Sequence, residues 1–190
     1  MSLNREQNYQ NWSISHKQTE AQYMQRGNIV SWLRLAMFAG IIISLFLITR
    51  YSILYLGLSM LFIAAFLILL KLHQNYLKKM QLAGYLHRLC ENEIKFLHYR
   101  FLEFPDGNEY AESSHPFSSD IDLTGTGSVF QYLNRTVTPM GRNELVRWLT
   151  IPLTDNKEIL SRQEACREMS SQPEWRLCFA AMGIQSMQGD

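Results

Sequence analysis

The sequence is poor in the residues that staple small scaffolds. Its three cysteines, Cys90, Cys166 and Cys178, are odd in number and far apart, with no C-x-x-C pair. That spacing indicates neither a disulfide framework nor a zinc knuckle, and ordinary reduced thiols are the expectation. A charge excess is also lacking: 18 Lys and Arg stand against 17 Asp and Glu, for a net charge of +1. A dedicated nucleic-acid-binding module usually carries a basic surface, so this balance argues against one, though not against DNA contact by a larger assembly. Enzyme signatures are missing too. There is no G-x-x-x-x-G-K-[ST] phosphate loop, no G-x-S-x-G, no H-E-x-x-H and no convincing nucleophile–base pair. The chain by itself is therefore expected not to be an enzyme, and no metal site is predicted. His87, Cys90, Glu91 and His98 fall on one helical segment, but no second ligand-bearing helix is visible to complete a set.

What the sequence does have is apolar length. One run extends from about Ile29 to Thr49, with Arg34 near its start and no charge from Leu35 to Thr49; a second, uncharged, extends from Tyr51 to Leu70. A bilayer core about 30 Å thick needs roughly 20 helical residues; the second run meets that length outright, and the first meets it if Arg34 snorkels to the headgroups beside Trp32. Thr49, Arg50, Tyr51 and Ser52 form the predicted turn of a transmembrane hairpin. A cleaved leader does not fit, because the apolar run follows a polar segment containing Glu6 and Glu20 and is followed by a second span. Arg26 and Arg34 precede the hairpin and Lys71, Lys78 and Lys79 follow it, with only Arg50 in the turn. The positive-inside rule then puts both ends in the cytoplasm. Trp32, Arg34, Arg50, Tyr51 and Lys71 are the predicted membrane anchors. Neither span has an acidic residue or a histidine at mid-membrane, so no ion path is indicated. Gly40, Ser44, Gly57 and Ser59 would permit close helix contact.

Around the hairpin, residues 1–28 read as a polar helix broken by Gly27 and Asn28. After it, Leu72, Tyr76, Met80, Ala83, Leu86, Cys90, Ile94, Leu97 and Phe101 recur at three- and four-residue steps, one apolar stripe of a helix. It is expected to continue the second span to residue 103 and to pair with the returning N-terminal helix. Residues 104–119, rich in Pro, Gly, Ser and Asp, read as a linker.

From Asp120 the punctuation becomes regular. Gly125, Gly127 and Ser128 precede a short helix entered through Ser128. Thr138 is placed to cap the next, with Pro139 at its first position and Pro152 beyond its end. Asp155 with Glu158, and Ser171 with Glu174, have capping-box spacing. Helix initiation is a sufficient role for the Gly-rich turn, which by itself carries no phosphate site.

Residues 120–169, DIDLTGTGSVFQYLNRTVTPMGRNELVRWLTIPLTDNKEILSRQEACREM, resemble the start of the core (lever) domain of MutS-type DNA mismatch repair ATPases. The anchors fall in order: Gly127, Ser128 and Val129; Asn134, Arg135, Thr136, Thr138 and Gly141; Leu145, Trp148 and Leu149; Pro152, Leu153 and Asp155; and Arg162. The layout is similar to that of shorter bacterial MutS-related proteins that lack the mismatch-reading domain and carry an apolar hairpin before the core. This resemblance implies an all-α chain, with a transmembrane hairpin and long flanking helices followed by a partial MutS-core-like array over residues 120–190. It implies a bacterial inner-membrane location. It also implies that ATP and Mg, DNA contact, and dimerisation or docking on further core and ATPase segments belong to the full-length protein. No cofactor is expected in this chain, which stops about twenty residues past the motif. Arg135 and Thr136 are expected to fix a turn rather than do chemistry. A different class of function also fits the layout: a two-span membrane adaptor or sensor whose helical tail binds another protein.

Overall fold

A helix of 49 residues, α1 (Ser2–Arg50), opens the computed structural model, which describes residues 2–50, 55–111 and 120–188. The second long helix, α2, spans Tyr55–Leu97. Four shorter helices follow a 3₁₀ turn at Asn108–Tyr110: α3 (Val129–Leu133), α4 (Pro139–Thr150), α5 (Asn156–Ser170) and α6 (Pro173–Met187). All regular structure among the described residues is helical. Thr49 and Arg50, placed in the predicted hairpin turn, are still helical in α1; its other two residues, Tyr51 and Ser52, and half of the predicted linker, residues 112–119, lie outside the described residues.

The chain divides into two compact units, Ile14–Gly84 and a second made of Met1–Ser13 with Tyr85–Asp190. In the first, α1 and α2 run antiparallel. Tyr23 meets Tyr76, the Gly27 carbonyl is 3.2 Å from His73 Nδ1, and Phe38 meets Phe66, so numbers rise on one helix as they fall on the other. Small residues set the approach. Ser44 and Ser59 are buried and return their hydroxyls to the carbonyls of Ile41 and Leu56. A methyl group at Gly40 would meet the Phe62 ring at 3.1 Å, whereas Gly57 faces open space and takes no part in close contact. The large apolar side chains mostly point outward: Ile42, Ile43, Phe46, Leu61, Leu67 and Ile68 are all at least half exposed.

The break predicted at Gly27 and Asn28 does not occur; α1 runs through both. Gly27 is buried, with its added-methyl position 4.0 Å from Tyr76 Cβ. Glycine serves close approach there, and the loss of about 1 kcal/mol of helix propensity is tolerated within so long a helix. The continuous helix predicted to residue 103 ends earlier, at Leu97. Tyr99 takes a φ of 57°, its N–H donates to the Phe96 carbonyl, and the Arg100 N–H donates to that of Lys95 at 2.9 Å. This is a Schellman-type stop, with tyrosine where glycine is usual.

In the second unit, the first turns of α1 pack on the last turns of α2. Ser13 Oγ lies 2.9 Å from His87 Nδ1 and also donates to the Glu91 carboxylate, while His98 Nε2 is 3.0 Å from Glu6 Oε1. The core of this unit holds Tyr9, Leu86, Cys90, Phe96, Leu123, Phe130, Leu177 and Ala181. Burial pushes the Cys90 thiol up to about 12, helped by the nearby Glu91 and Glu93 carboxylates.

Candidate functional site

The region around α3 is built from backbone turns that glycine permits and polar side chains that close. Gly125 and Gly127 have φ of 102° and 80°, conformations that disfavour other residues. The Gly125 N–H donates to the Asp106 carbonyl at 2.9 Å, and the Gly127 N–H to Gln131 Oε1 at 2.7 Å. Ser128 caps α3 by accepting from the Gln131 N–H at 3.1 Å. The Gln131 amide then donates to the carbonyls of Leu102 and Phe104, at 3.2 and 2.6 Å. Gln131 is 1 % exposed, and these bonds satisfy both ends of its side chain. Nothing in the sequence marked it; a glutamine inside an amphipathic turn normally reads as surface. The Gly127 N–H is thus turned onto a neighbouring side chain.

The fully buried Phe130 ring requires a glycine at Gly107. A methyl group there would lie 2.4 Å from Phe130 Cδ1, and the residue's φ is 72°. Asn134 closes the following turn, its Oδ1 accepting from the Thr136 N–H at 3.0 Å and the Thr136 hydroxyl at 2.7 Å. Arg135 reaches three groups. Its Nη1 donates to the Tyr132 carbonyl at 2.6 Å, its Nε to Glu93 Oε1 at 3.0 Å, and its guanidinium carbon stands 3.2 Å from the centre of the Phe96 ring. The ring's other neighbour is Phe104, stacked at 4.5 Å.

Thr138 caps α4 through the Gly141 N–H at 3.1 Å, with Pro139 beginning the helix. Trp148 is partly exposed on α4; its indole N–H donates to Glu144 at 2.5 Å, and Arg162 of α5 covers its ring at 3.9 Å. Arg147 and Trp148 together hold the Glu144 carboxyl down to about 2. Pro152 lies exposed past the end of α4, and Asp155 caps α5 through the Lys157 N–H at 2.9 Å. The capping box predicted at Ser171 is replaced by a different arrangement. Pro173 takes the first position of α6, Gln172 becomes the residue before it, and Ser171 ends α5 by donating to the Glu168 carbonyl at 2.7 Å. The structure therefore ties Gly127 and Ser128 to Gln131 and the Asp106 carbonyl, brings Arg135 to Glu93 and Phe96 of α2, leaves Asn134 and Thr136 bonded to each other, and sets Trp148 against Arg162 while Asp155 caps α5 locally.

Residues 111–183 match the MutS domain III family. The chain is MutS-related. Within its MutS domain III segment lie α3 to α5 and most of α6. A 49-residue stretch is 45 % identical to the DNA mismatch repair protein MSH3 of Yarrowia lipolytica, covering 26 % of this chain and 5 % of that protein. Another of 64 residues is 42 % identical to the DNA mismatch repair protein MutS of Myxococcus xanthus, over 34 % of this chain and 7 % of that one. A third, 91 residues long, is 32 % identical to MutS of Lactobacillus acidophilus, over 44 % and 10 %. The chain thus spans about a tenth or less of these relatives. No solved structure matches it.

In domain III, α4 and α5 have no buried residue among those described. Met140, Leu160, Trp175 and Phe179 are exposed at 82, 63, 49 and 63 %. Helices this well capped with so little interior owe their form to local signals more than to packing. Of the predicted membrane anchors, Trp32 is 73 % exposed, Lys71 is exposed and Arg34 is half-buried; the side chains of Arg50 and Tyr51 lie outside the described residues. The residues His87, Cys90, Glu91 and His98 do not converge. Cys90 is buried in the core, while His87 and Glu91 share the Ser13 hydroxyl and His98 pairs with Glu6.

Proposed function

We propose that this chain is the membrane-anchoring and domain III portion of a MutS-related, DNA-binding ATPase of the bacterial inner membrane. The observation that carries the reading is the outward-facing apolar surface of α1 and α2 beside a MutS domain III segment. Only 11 % and 6 % of the most apolar windows of the two helices is buried within the protein. A core helix hides its apolar face; these present theirs, as helices in lipid do. The work assigned to the chain is attachment. The hairpin holds the protein to the bilayer, and domain III passes the attachment to segments that bind nucleotide and DNA. ATP, Mg and DNA belong to that larger protein, and the present chain contributes no catalytic group. The domain III match weighs against the alternative of a two-span adaptor unrelated to mismatch repair proteins.

Alkaline carbonate extraction of cells expressing the chain tests the anchor. The protein should stay in the membrane pellet, and quantitative release to the supernatant would refute anchoring. Reading the gene beyond codon 190 tests the enzyme half. A G-x-x-x-x-G-K-[ST] loop should follow, and an open reading frame without one would refute it.

A further inference from the structure

In the hairpin unit, Ser31, Trp32, Arg34, Leu35, Phe38 and Phe66 line a cleft of about 320 Å³. Its composition changes along its length. Ser31 and Arg34 lie at one end and bring a hydroxyl and a guanidinium. Leu35, Phe38 and Phe66 bring only hydrocarbon, and the rings of Phe38 and Phe66 stand 6.3 Å apart. Arg34 is half-buried, sits at the last polar position before the uncharged run of α1, and forms no ion pair among the described residues.

Charge complementarity points to the occupant. The whole chain carries a net charge of +1, with 17 acidic residues, yet the stretch Ile14–Gly84 contains only one of these, Glu20, beside seven Lys and Arg. Glu20 lies against Gly84 and roughly 21 Å along α1 from Arg34, at 1.5 Å per residue. No carboxylate of the unit is available to the Arg34 guanidinium, whose planar donors fit a phosphate diester.

We propose that this cleft seats one anionic phospholipid, its phosphate on Arg34 and Ser31, its glycerol region beside Trp32, and an acyl chain along Leu35, Phe38 and Phe66. The site rests on the membrane reading above, and it adds to that reading a lipid class and a position. A zwitterionic lipid presents the same phosphate with a cation attached, and the cationic unit repels that second charge. The cleft therefore discriminates by net headgroup charge.

The test uses the full chain with vesicles of phosphatidylcholine and of an equimolar mixture of phosphatidylcholine and phosphatidylglycerol. Flotation reports insertion, and native mass spectrometry of protein released from the mixed bilayer reports which lipid is retained. Wild type should float with both vesicles and retain one phosphatidylglycerol. Arg34→Gln should still float, with retention reduced about tenfold, the scale of losing one charge-assisted contact. Lys17→Gln, which removes a cation of the same unit outside the cleft, should retain the lipid as wild type does. Equal retention of the two lipids by wild type, or unchanged retention in Arg34→Gln, would overturn the lipid site while leaving the anchor intact. Failure to float with either vesicle would overturn both.

Discussion

Arg135 and Glu93, separated by 42 residues, form an ion pair at 3.0 Å that joins the turn after α3 to the last part of α2. The same guanidinium lies against Phe96 and holds the Tyr132 carbonyl. One side chain thus ties the domain III turn to the long helix by charge, by a ring face and by a local cap. Arg135→Ala is expected to lower local stability by about 1–2 kcal/mol, a value moderated by the partial exposure of both charges. Amide exchange of residues 132–136 in the full chain in detergent should accelerate roughly tenfold. Arg135→Lys keeps the charge but neither the fork nor the flat face, so it should recover less than half of the protection. Full recovery by lysine would mean that charge alone makes the joint.

Two caps should differ in cost. Ser128 is 1 % exposed and serves both the Gln131 N–H and the Asp106 carbonyl, whereas Thr138 serves the Gly141 N–H from a less buried position. Thr138→Ala should cost about 1 kcal/mol and Ser128→Ala closer to 2 kcal/mol. Exchange protection in α3 and α4 measures both, and the reverse order would contradict the bonding described.

The three thiols should separate by reactivity. Cys90 is fully buried with its thiol held near 12, whereas Cys166 and Cys178 are exposed. A thiol reagent should modify two cysteines in the native protein and three after denaturation. Cys90 should stay silent in the native protein even as the pH is raised from 7 to 10. The linkage follows in sign. From about pH 9, the ordinary value, toward 12, the unfolded thiol ionises and the buried one does not. Stability contributed by this group is therefore lost as the pH climbs through that window.

Domain III should be helical before it is cooperative. The segment 119–190 alone should give a helical far-UV spectrum, a shallow thermal transition and strong binding of an apolar dye. Its helices are capped, while Leu160, Trp175 and Phe179 stay exposed. A sharp melt above about 60 °C, typical of a finished domain, would contradict that.

The parts legible in the sequence were those with local causes. Ser128, Thr138, Pro139 and Asp155 act within four residues, and the helices form where those signals stand. The apolar runs were visible for the same reason. Gly27 misled because a helix-breaking residue looks the same whether it breaks the helix or lets Tyr76 approach. Ser171 misled because Pro173 starts α6 one position later than the capping box requires, which leaves Ser171 to end α5. Long-range partnerships left no trace in any window. Gln131 reaching Leu102 and Phe104, Ser13 meeting His87 and Glu91, and Arg135 finding Phe96 depend on how α1, α2 and the α3 turn pack.

Thiol labelling of intact cells tests the central claim most directly. A membrane-impermeant maleimide is applied to cells expressing the Thr49→Cys variant, before and after permeabilisation, and modified sites are mapped by peptide mass. An apolar hairpin crossing the bilayer with both ends inside puts the introduced thiol outside, so it should be modified in intact cells, with Cys166 and Cys178 modified only after permeabilisation. Modification of all three positions only after permeabilisation, or of all three together in intact cells, would contradict the account.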